Sequence, residues 1–139
     1  MIHMLKTLDV VAAIIERDGH ILLAQRPPHA DPPGMWEFAG GKVEPGETQA
    51  QALARELQEE LAIDARPECY IASHLREVSA RLIHLHAWWV PHFHGEPIAR
   101  YHSQLRWCSP QEAFTFNLAP ADIPLLEAFI ARRAALPSR

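Results

Sequence analysis

The stretch Gly41-Lys42-Val43-Glu44-Pro45-Gly46-Glu47-Thr48-Gln49-Ala50-Gln51-Ala52-Leu53-Ala54-Arg55-Glu56-Leu57-Gln58-Glu59-Glu60-Leu61-Ala62-Ile63 decides the reading of this chain. From Thr48 to Leu61 it lacks glycine and proline and is rich in Ala, Leu, Gln and Glu, so it predicts a helix. At about 100° per residue, Leu53, Leu57 and Leu61 share one stripe, and Glu56, Glu59 and Glu60 share the neighbouring one. The leucines belong in a core. The glutamates repel one another, by roughly a few tenths of a kcal/mol per pair on a free helix surface. A solvated acidic face is the bland explanation, and two features argue against it. Gly40-Gly41 lets backbone carbonyls come close to a ligand, and Arg55 inside the cluster can orient carboxylates bidentately. Carboxylates with a backbone carbonyl are hard oxygen donors suited to Mg²⁺ or Mn²⁺, whose charge offsets their repulsion.

Working outward, Val10–Ile15 and Ile21–Ala24 are apolar runs around Asp18-Gly19, which predicts a β-hairpin. Pro27–Gly34 reads as a loop, Trp36-Glu37-Phe38 as a short strand, Gly40-Gly41 as a backbone break and Pro45-Gly46 as a turn. Glu68–Leu75, Arg81–Val90 and Leu105–Cys108 are strand candidates. Ser109-Pro110-Gln111-Glu112 reads as a capping box, and Ile123–Leu136 as a last helix. Strands mixed with two or three helices imply a mixed sheet with helices on both faces.

The 139 residues are sized for one domain, 1–139, with no repeat and no linker. With 48% apolar and 22% charged residues, the composition is that of a folded globular chain and argues against disorder. A net charge of −4 argues against non-specific binding of nucleic acid or an anionic membrane. An anionic ligand would then need a divalent cation to bring it in. Cys69 and Cys108 make no disulfide framework, no apolar run reaches membrane-spanning length, and Met1–Asp9 lacks a signal-peptide pattern. The expectation is a soluble cytoplasmic protein. His84 and His86 share a strand face, and His92 and His94 repeat the spacing. No cysteine lies near them in sequence and a strand has two faces to fill, so the sequence disfavours a structural zinc site.

The acidic segment resembles the Nudix box: Gly41, Glu47, Arg55-Glu56-Leu57, Glu59-Glu60 and Ile63 match its defining positions. Ala62 departs from the glycine that the box carries there. A left-handed alanine past the helix would cost about 1 kcal/mol, or the helix would end differently. The resemblance extends over Val10–Ile15, Leu22–Pro27, Trp36–Glu44, His84–Trp88 and Leu118–Pro124, and so covers essentially the whole chain. These segments are similar to the branch of the family that hydrolyses CTP, close to the enzymes that sanitise oxidised dGTP.

The resemblance implies an α+β chain folded as a Nudix α/β/α sandwich, a mixed β-sheet flanked by helices. It implies an Mg²⁺-dependent pyrophosphohydrolase (Mn²⁺ as a substitute) that converts a nucleoside triphosphate to the monophosphate and pyrophosphate. Glu56, Glu59 and Glu60 are the candidate metal ligands and catalytic carboxylates, with the Gly40 carbonyl as a neutral fourth ligand; Glu47 and Arg55 support them. One ligating glutamate, or a carboxylate outside the box, would be the general base. Arg26 and Lys42 are candidate phosphate contacts. Asp122 is a candidate reader of the cytosine amino group or, alternatively, the N-cap of the last helix. Trp36 and Phe38 are candidate walls for the base, with a core role favoured for Phe38. Where related enzymes carry a further acid this chain has Tyr101 beside His102, so His102 is either its substitute or an exposed loop histidine. The implied substrates are CTP, dCTP or modified pyrimidine nucleotides such as 5-methyl-dCTP and 5-hydroxy-CTP, in nucleotide-pool sanitation linked to DNA repair. The alternatives are 8-oxo-dGTP, another Nudix substrate, or a non-catalytic nucleotide sensor. A small nucleotide is the expected partner, with no nucleic acid or membrane, for a monomer or homodimer.

Overall fold

The computed structural model describes residues 6–30 and 32–137. The parts of the signal-peptide and loop readings that fall on residues 1–5 and on Asp31 lie outside the described residues. In chain order the elements are β1 (Lys6–Arg17), β2 (His20–Gln25), β3 (Trp36–Glu37), β4 (Gly40–Lys42), α1 (Gln49–Leu61), β5 (Asp64–Arg66), β6 (Cys69–Val78), β7 (Arg81–Val90), β8 (His92–His94), β9 (Gln104–Cys108) and α2 (Asp122–Arg132). Single 3-10 turns cover Glu112–Thr115 and Arg133–Ala135.

The predicted hairpin forms. Asp18 and Gly19 both take positive φ, at 51° and 80°, as a two-residue turn between twisted strands requires. β1 is the spine of a mixed sheet ordered β3-β2-β1-β7-β6, with β4 also pairing with β1 and β9 with β2. It runs parallel to β7 from Lys6 opposite Arg81 to Ile15 opposite Val90. Strand alternation divides its side chains between two cores. Val11, Ala13 and Ile15 pack with Leu53, Leu57 and Leu61 of α1, whereas Ala12 and Ile14 pack with Leu125, Leu126 and Phe129 of α2. A strand covered on both sides reads as a continuous apolar run, which is why Val10–Ile15 shows no alternation in sequence. The expected sandwich, a mixed sheet with helices on both faces, is the observed one.

Several local expectations change. Gly40-Gly41 is not a break but the start of β4, antiparallel to β1 with Val11 opposite Gly41 and Ala12 opposite Gly40. A Cβ on Gly40 would fall 1.8 Å from the Val11 carbonyl oxygen, so only glycine permits this pairing. β5 and β8 form a separate antiparallel pair that was not anticipated; three-residue strands are too short to show a period. The strand expected over Glu68–Leu75 runs Cys69–Val78. The reciprocal bonds of the Ser109–Glu112 box form, at 3.1 and 3.0 Å, but start only one 3-10 turn. The last helix begins at Asp122 and ends at Arg132.

α1 follows its reading closely. Thr48 caps it, accepting from the Gln51 N–H, while the Gln51 side chain accepts from the Thr48 N–H. Its far end settles the question posed by Ala62, which takes the left-handed conformation at φ 60° and donates to the Gln58 carbonyl. The turn that glycine would make without strain is made by alanine, and it delivers Ile63 fully buried into the core on the α1 side of the sheet. Ala62→Gly is therefore expected to stabilise the protein by about 1 kcal/mol, raising the melting temperature by roughly 4 °C. Calorimetric melting of the two proteins checks this, and an unchanged or lower midpoint contradicts it.

Candidate active site

The acidic stripe of α1 lies against β4 and the turn between them. Arg55 is the hub. Its Nε and Nη2 donate to Glu47 at 2.7 and 2.9 Å, its Nη1 donates to Glu56 at 2.9 Å and to Glu59 at 3.5 Å, and its Nη2 also reaches the Lys42 carbonyl at 3.1 Å. The guanidinium, with a further hydrogen bond from the Glu44 N–H, holds the Glu47 carboxyl down to about 2. Its own pKa is raised by Glu47 first and Glu56 second.

Gly41 makes room for this arrangement. A Cβ there would meet the Glu56 carboxyl well inside 3.0 Å. Glu60 turns inward instead of joining Arg55. The Gly40 backbone lies close enough to oppose slightly the rise in its pKa, and Oε1 is buried with no partner among the described residues. Burial, then repulsion from Glu56 and Glu37, pushes the Glu60 carboxyl up to about 8. Glu59 is more exposed than Glu56, at 59% against 16% of the side chain.

These observations test the fit of a divalent cation. One guanidinium contacts three of the four carboxylates, and most of its geometry is taken by Glu47. An orphaned carboxylate oxygen points into the same region, and the donors are all hard oxygens. That set fits Mg²⁺ or Mn²⁺. Glu56, Glu59 and Glu60 would hold the ion, with the Gly40 segment alongside.

The second half of the site was largely missed from sequence. Glu37, on β3, accepts from Arg26 Nη1 at 2.9 Å and lies 2.9 Å from His102 Nε2. His102 is not the exposed loop histidine considered above: its side chain is fully buried and its Nδ1 has no partner among the described residues. Arg26 also donates to the Pro32 carbonyl at 2.9 Å. Lys42 is exposed at the end of β4. The only advance signal for Glu37 was an acid between two aromatic residues, Trp36 and Phe38, both of which prove to be buried in the core on the α2 side of the sheet.

Asp122 is not the N-cap. Ala121 holds that position, and Asp122 is the first residue of α2, 4% exposed, with Oδ2 accepting from the Phe38 N–H at 3.4 Å. Burial, and secondarily the charge of Glu37, pushes its carboxyl up to about 8. The charge of Glu37 thus acts on both Glu60 and Asp122.

The chain matches the NUDIX domain over residues 5–129, and the carboxylate helix described above lies within that match: the protein belongs to the Nudix family and is a Nudix hydrolase. It is closely related to the CTP pyrophosphohydrolase of Escherichia coli K12, with 66% identity over 134 residues that cover 96% of this chain and 99% of the relative. It is also 32% identical to the 8-oxo-dGTP diphosphatase of the same organism, covering 88% and 95% of the two chains. Among solved structures, the solution structure of the E. coli ORF135 protein superposes with a TM-score of 0.88 at 66% identity, covering 97% and 96% of the two chains.

The raised Asp122 carboxyl has a stability consequence of definite sign. Between the unfolded value near 3.8 and the folded value of about 8, the unfolded chain has released a proton that the native state retains. Stability therefore falls as pH rises through this window. Asp122→Asn removes that slope, so its melting temperature should exceed wild type by a margin that grows from pH 5 to pH 8. Melting curves across that range test it, and a margin that shrinks with pH contradicts the assignment.

Proposed function

We propose that the protein is a metal-dependent nucleoside triphosphate pyrophosphohydrolase that prefers CTP, dCTP or pyrimidine-modified forms such as 5-methyl-dCTP and 5-hydroxy-CTP. The observation that carries the reading is the under-compensated carboxylate set on α1, together with the buried Asp122, whose carboxyl burial pushes up to about 8. The kinship to a CTP pyrophosphohydrolase supports it.

A triphosphate is strongly anionic and cannot meet an acidic helix directly. When bound, Mg²⁺ or Mn²⁺ supplies charge neutralisation of the polyphosphate and lowers the pKa of a coordinated water. The chain's own residues do the rest. Glu47 fixes Arg55, Arg55 orients Glu56 and Glu59, and the Gly40 backbone lies beside Glu60. A carboxylate of this set, or Glu37 beside it, takes the proton of the attacking water, and the Pα–O–Pβ anhydride opens to the monophosphate and pyrophosphate. Exposed Lys42 and the Arg26 guanidinium supply positive charge for the phosphates. Two free cysteines, Cys69 half-buried and Cys108 buried with its thiol pushed up to about 11, support a reducing, cytoplasmic setting. No helix among the described residues is long and apolar enough to cross a membrane.

Base selection falls to Asp122. A neutral carboxylic acid offers one acceptor and one donor, which complement the 4-amino donor and N3 acceptor of cytosine. An ionised carboxylate would offer acceptors only. Trp36 and Phe38 act behind it as packing. The second reading, 8-oxo-dGTP, rests on the same Asp122 pair and on the kinship to an 8-oxo-dGTP diphosphatase.

Product analysis with a triphosphate panel tests the reading. Pyrophosphate release, fastest with cytosine nucleotides, is expected; orthophosphate release or no turnover overturns it. Glu56→Gln should lower kcat about a thousandfold, the equivalent of several kcal/mol of transition-state charge stabilisation. Asp122→Ala should reduce kcat/KM for CTP by about 1–3 kcal/mol, whereas Asp122→Asn, which keeps a donor and an acceptor, should lose far less. Equal losses in the two Asp122 variants would remove the neutral-acid assignment while leaving the hydrolase reading intact.

A further inference from the structure

We propose that Asp9, His84 and His86 form a second metal site, for a zinc-type divalent cation, built on β1 and β7 and sharing no residue with the carboxylate set of α1. The inference is independent of the substrate reading. It also reverses the sequence-based expectation against zinc, and the reversal comes from a residue on another strand.

The parallel register sets Asp9 opposite His84. Asp9 is on the face of Val11 and Ala13, and His84 and His86 are on the face of Trp88 and Val90, so all three project from the α1 side of the sheet. They lie where the apolar part of that face ends. His86 Nε2 is 3.0 Å from Asp9 Oδ1, and His84 Nδ1 is 3.8 Å from the same oxygen. One donor atom from each residue lies within 4.8 Å of the other two. A tetrahedral ion about 2.1 Å from each donor holds them roughly 3.4 Å apart, between the two separations to Asp9. Closing the set asks only for small side-chain rotations, and His84, at 36% side-chain exposure, is free to make them.

The surroundings are also those of a ligand set. The Tyr70 hydroxyl lies 2.7 Å from His86 Nδ1 and fixes the ring so that Nε2 faces Asp9. A metal-binding histidine characteristically has its other nitrogen held in this way. Tyrosine can donate or accept. With Nε2–H donating to Asp9, Nδ1 accepts from the hydroxyl. With a metal on Nε2, the ring proton sits on Nδ1 and donates to the hydroxyl oxygen. Loading therefore needs a tautomer change at His86 and no loss of a proton from it. Two imidazoles and one carboxylate suit Zn²⁺ or Co²⁺, unlike the all-oxygen set on α1, and they leave a fourth position for water. His92 and His94, the other pair with this spacing, pair instead with Arg66 and Asp64 in the small sheet and contribute nothing here. A bound ion would clip β7 to β1. The Asp9 carbonyl accepts the Val43 N–H at 3.0 Å, so the clip would also reach the segment that follows β4.

The test uses the metal-free full-length chain carrying Glu56→Gln and Glu60→Gln, so that the α1 set does not compete, in the presence of excess Mg²⁺. Titration with Co²⁺, followed by its visible absorption, is expected to show one equivalent with an intense tetrahedral-type spectrum that Zn²⁺ displaces. Added to that background, His84→Ala and Asp9→Asn should each weaken binding by at least about tenfold, and Tyr70→Phe by about tenfold through loss of ring orientation. Zinc should raise the melting temperature of the parent chain but not of the His84→Ala form. In an otherwise wild-type chain, His84→Ala should keep its Mg²⁺-dependent turnover. His86→Ala carries more folding risk because the side chain is buried; the partly exposed His84 and Asp9 decide the matter with circular dichroism as the folding control. Failure to bind Co²⁺, binding unaffected by His84→Ala and Asp9→Asn, or binding lost in His92→Ala instead would each overturn the site.

Discussion

The pairing of Arg55 with Glu47 is the constraint on which the active end depends. Glu47 belongs to the turn before α1, Arg55 to the helix, and the Lys42 carbonyl to β4. One planar guanidinium therefore ties turn, helix and strand together, which a lysine with its single ammonium could not do. The same pairing sets the electrostatics. Arg55 gives its bidentate contact to Glu47 and only single contacts to Glu56 and Glu59, and it leaves Glu60 without a cation. Ion pairs of this kind are weak evidence for stability. Their effect here is to hold neighbouring carboxylates at short range in a geometry they would otherwise abandon.

Steric constraints make that geometry available. Gly40 lets β4 sit flush on β1, and Gly41 lets the Glu56 carboxyl lie over the strand. A side chain at Gly40 would push β4 off β1, and one at Gly41 would push the Glu56 carboxyl away from β4. The alanine at position 62 shows the opposite tolerance: the left-handed turn is kept despite the methyl group, because Ile63 must enter the core directly after the helix.

What was legible in the sequence was what depends on near neighbours. The helix, its Thr48 cap, its leucine stripe and the Asp18-Gly19 hairpin follow from periodicity and turn chemistry over a few residues. What was hidden depends on partners far along the chain. Gly40-Gly41 looks like a break until β1 is laid beside it. Asp122 can be read locally as an N-cap, yet its side chain accepts from the Phe38 N–H, 84 residues away. His102 looks like a loop histidine until Glu37, 65 residues away, is placed against it. The histidines of β7 look like an incomplete ligand pair until the parallel register brings Asp9 across from them.

Glu37 links the two ends of the active region and imposes a requirement on them. Its charge raises both Glu60 and Asp122. The proposed chemistry needs opposite states at these positions: an ionised Glu60 to hold a cation and a neutral Asp122 to present a donor as well as an acceptor. Burial alone cannot separate them, because it pushes both carboxyls in the same direction. A cation held at Glu60 would lower that carboxyl most, since Coulomb interactions weaken with distance. Arg26, already paired with Glu37, limits how strongly the shared acid acts on either neighbour. The two proposed roles, cation binding and base reading, thus share one charged neighbour, Glu37, which lies outside the sequence motif.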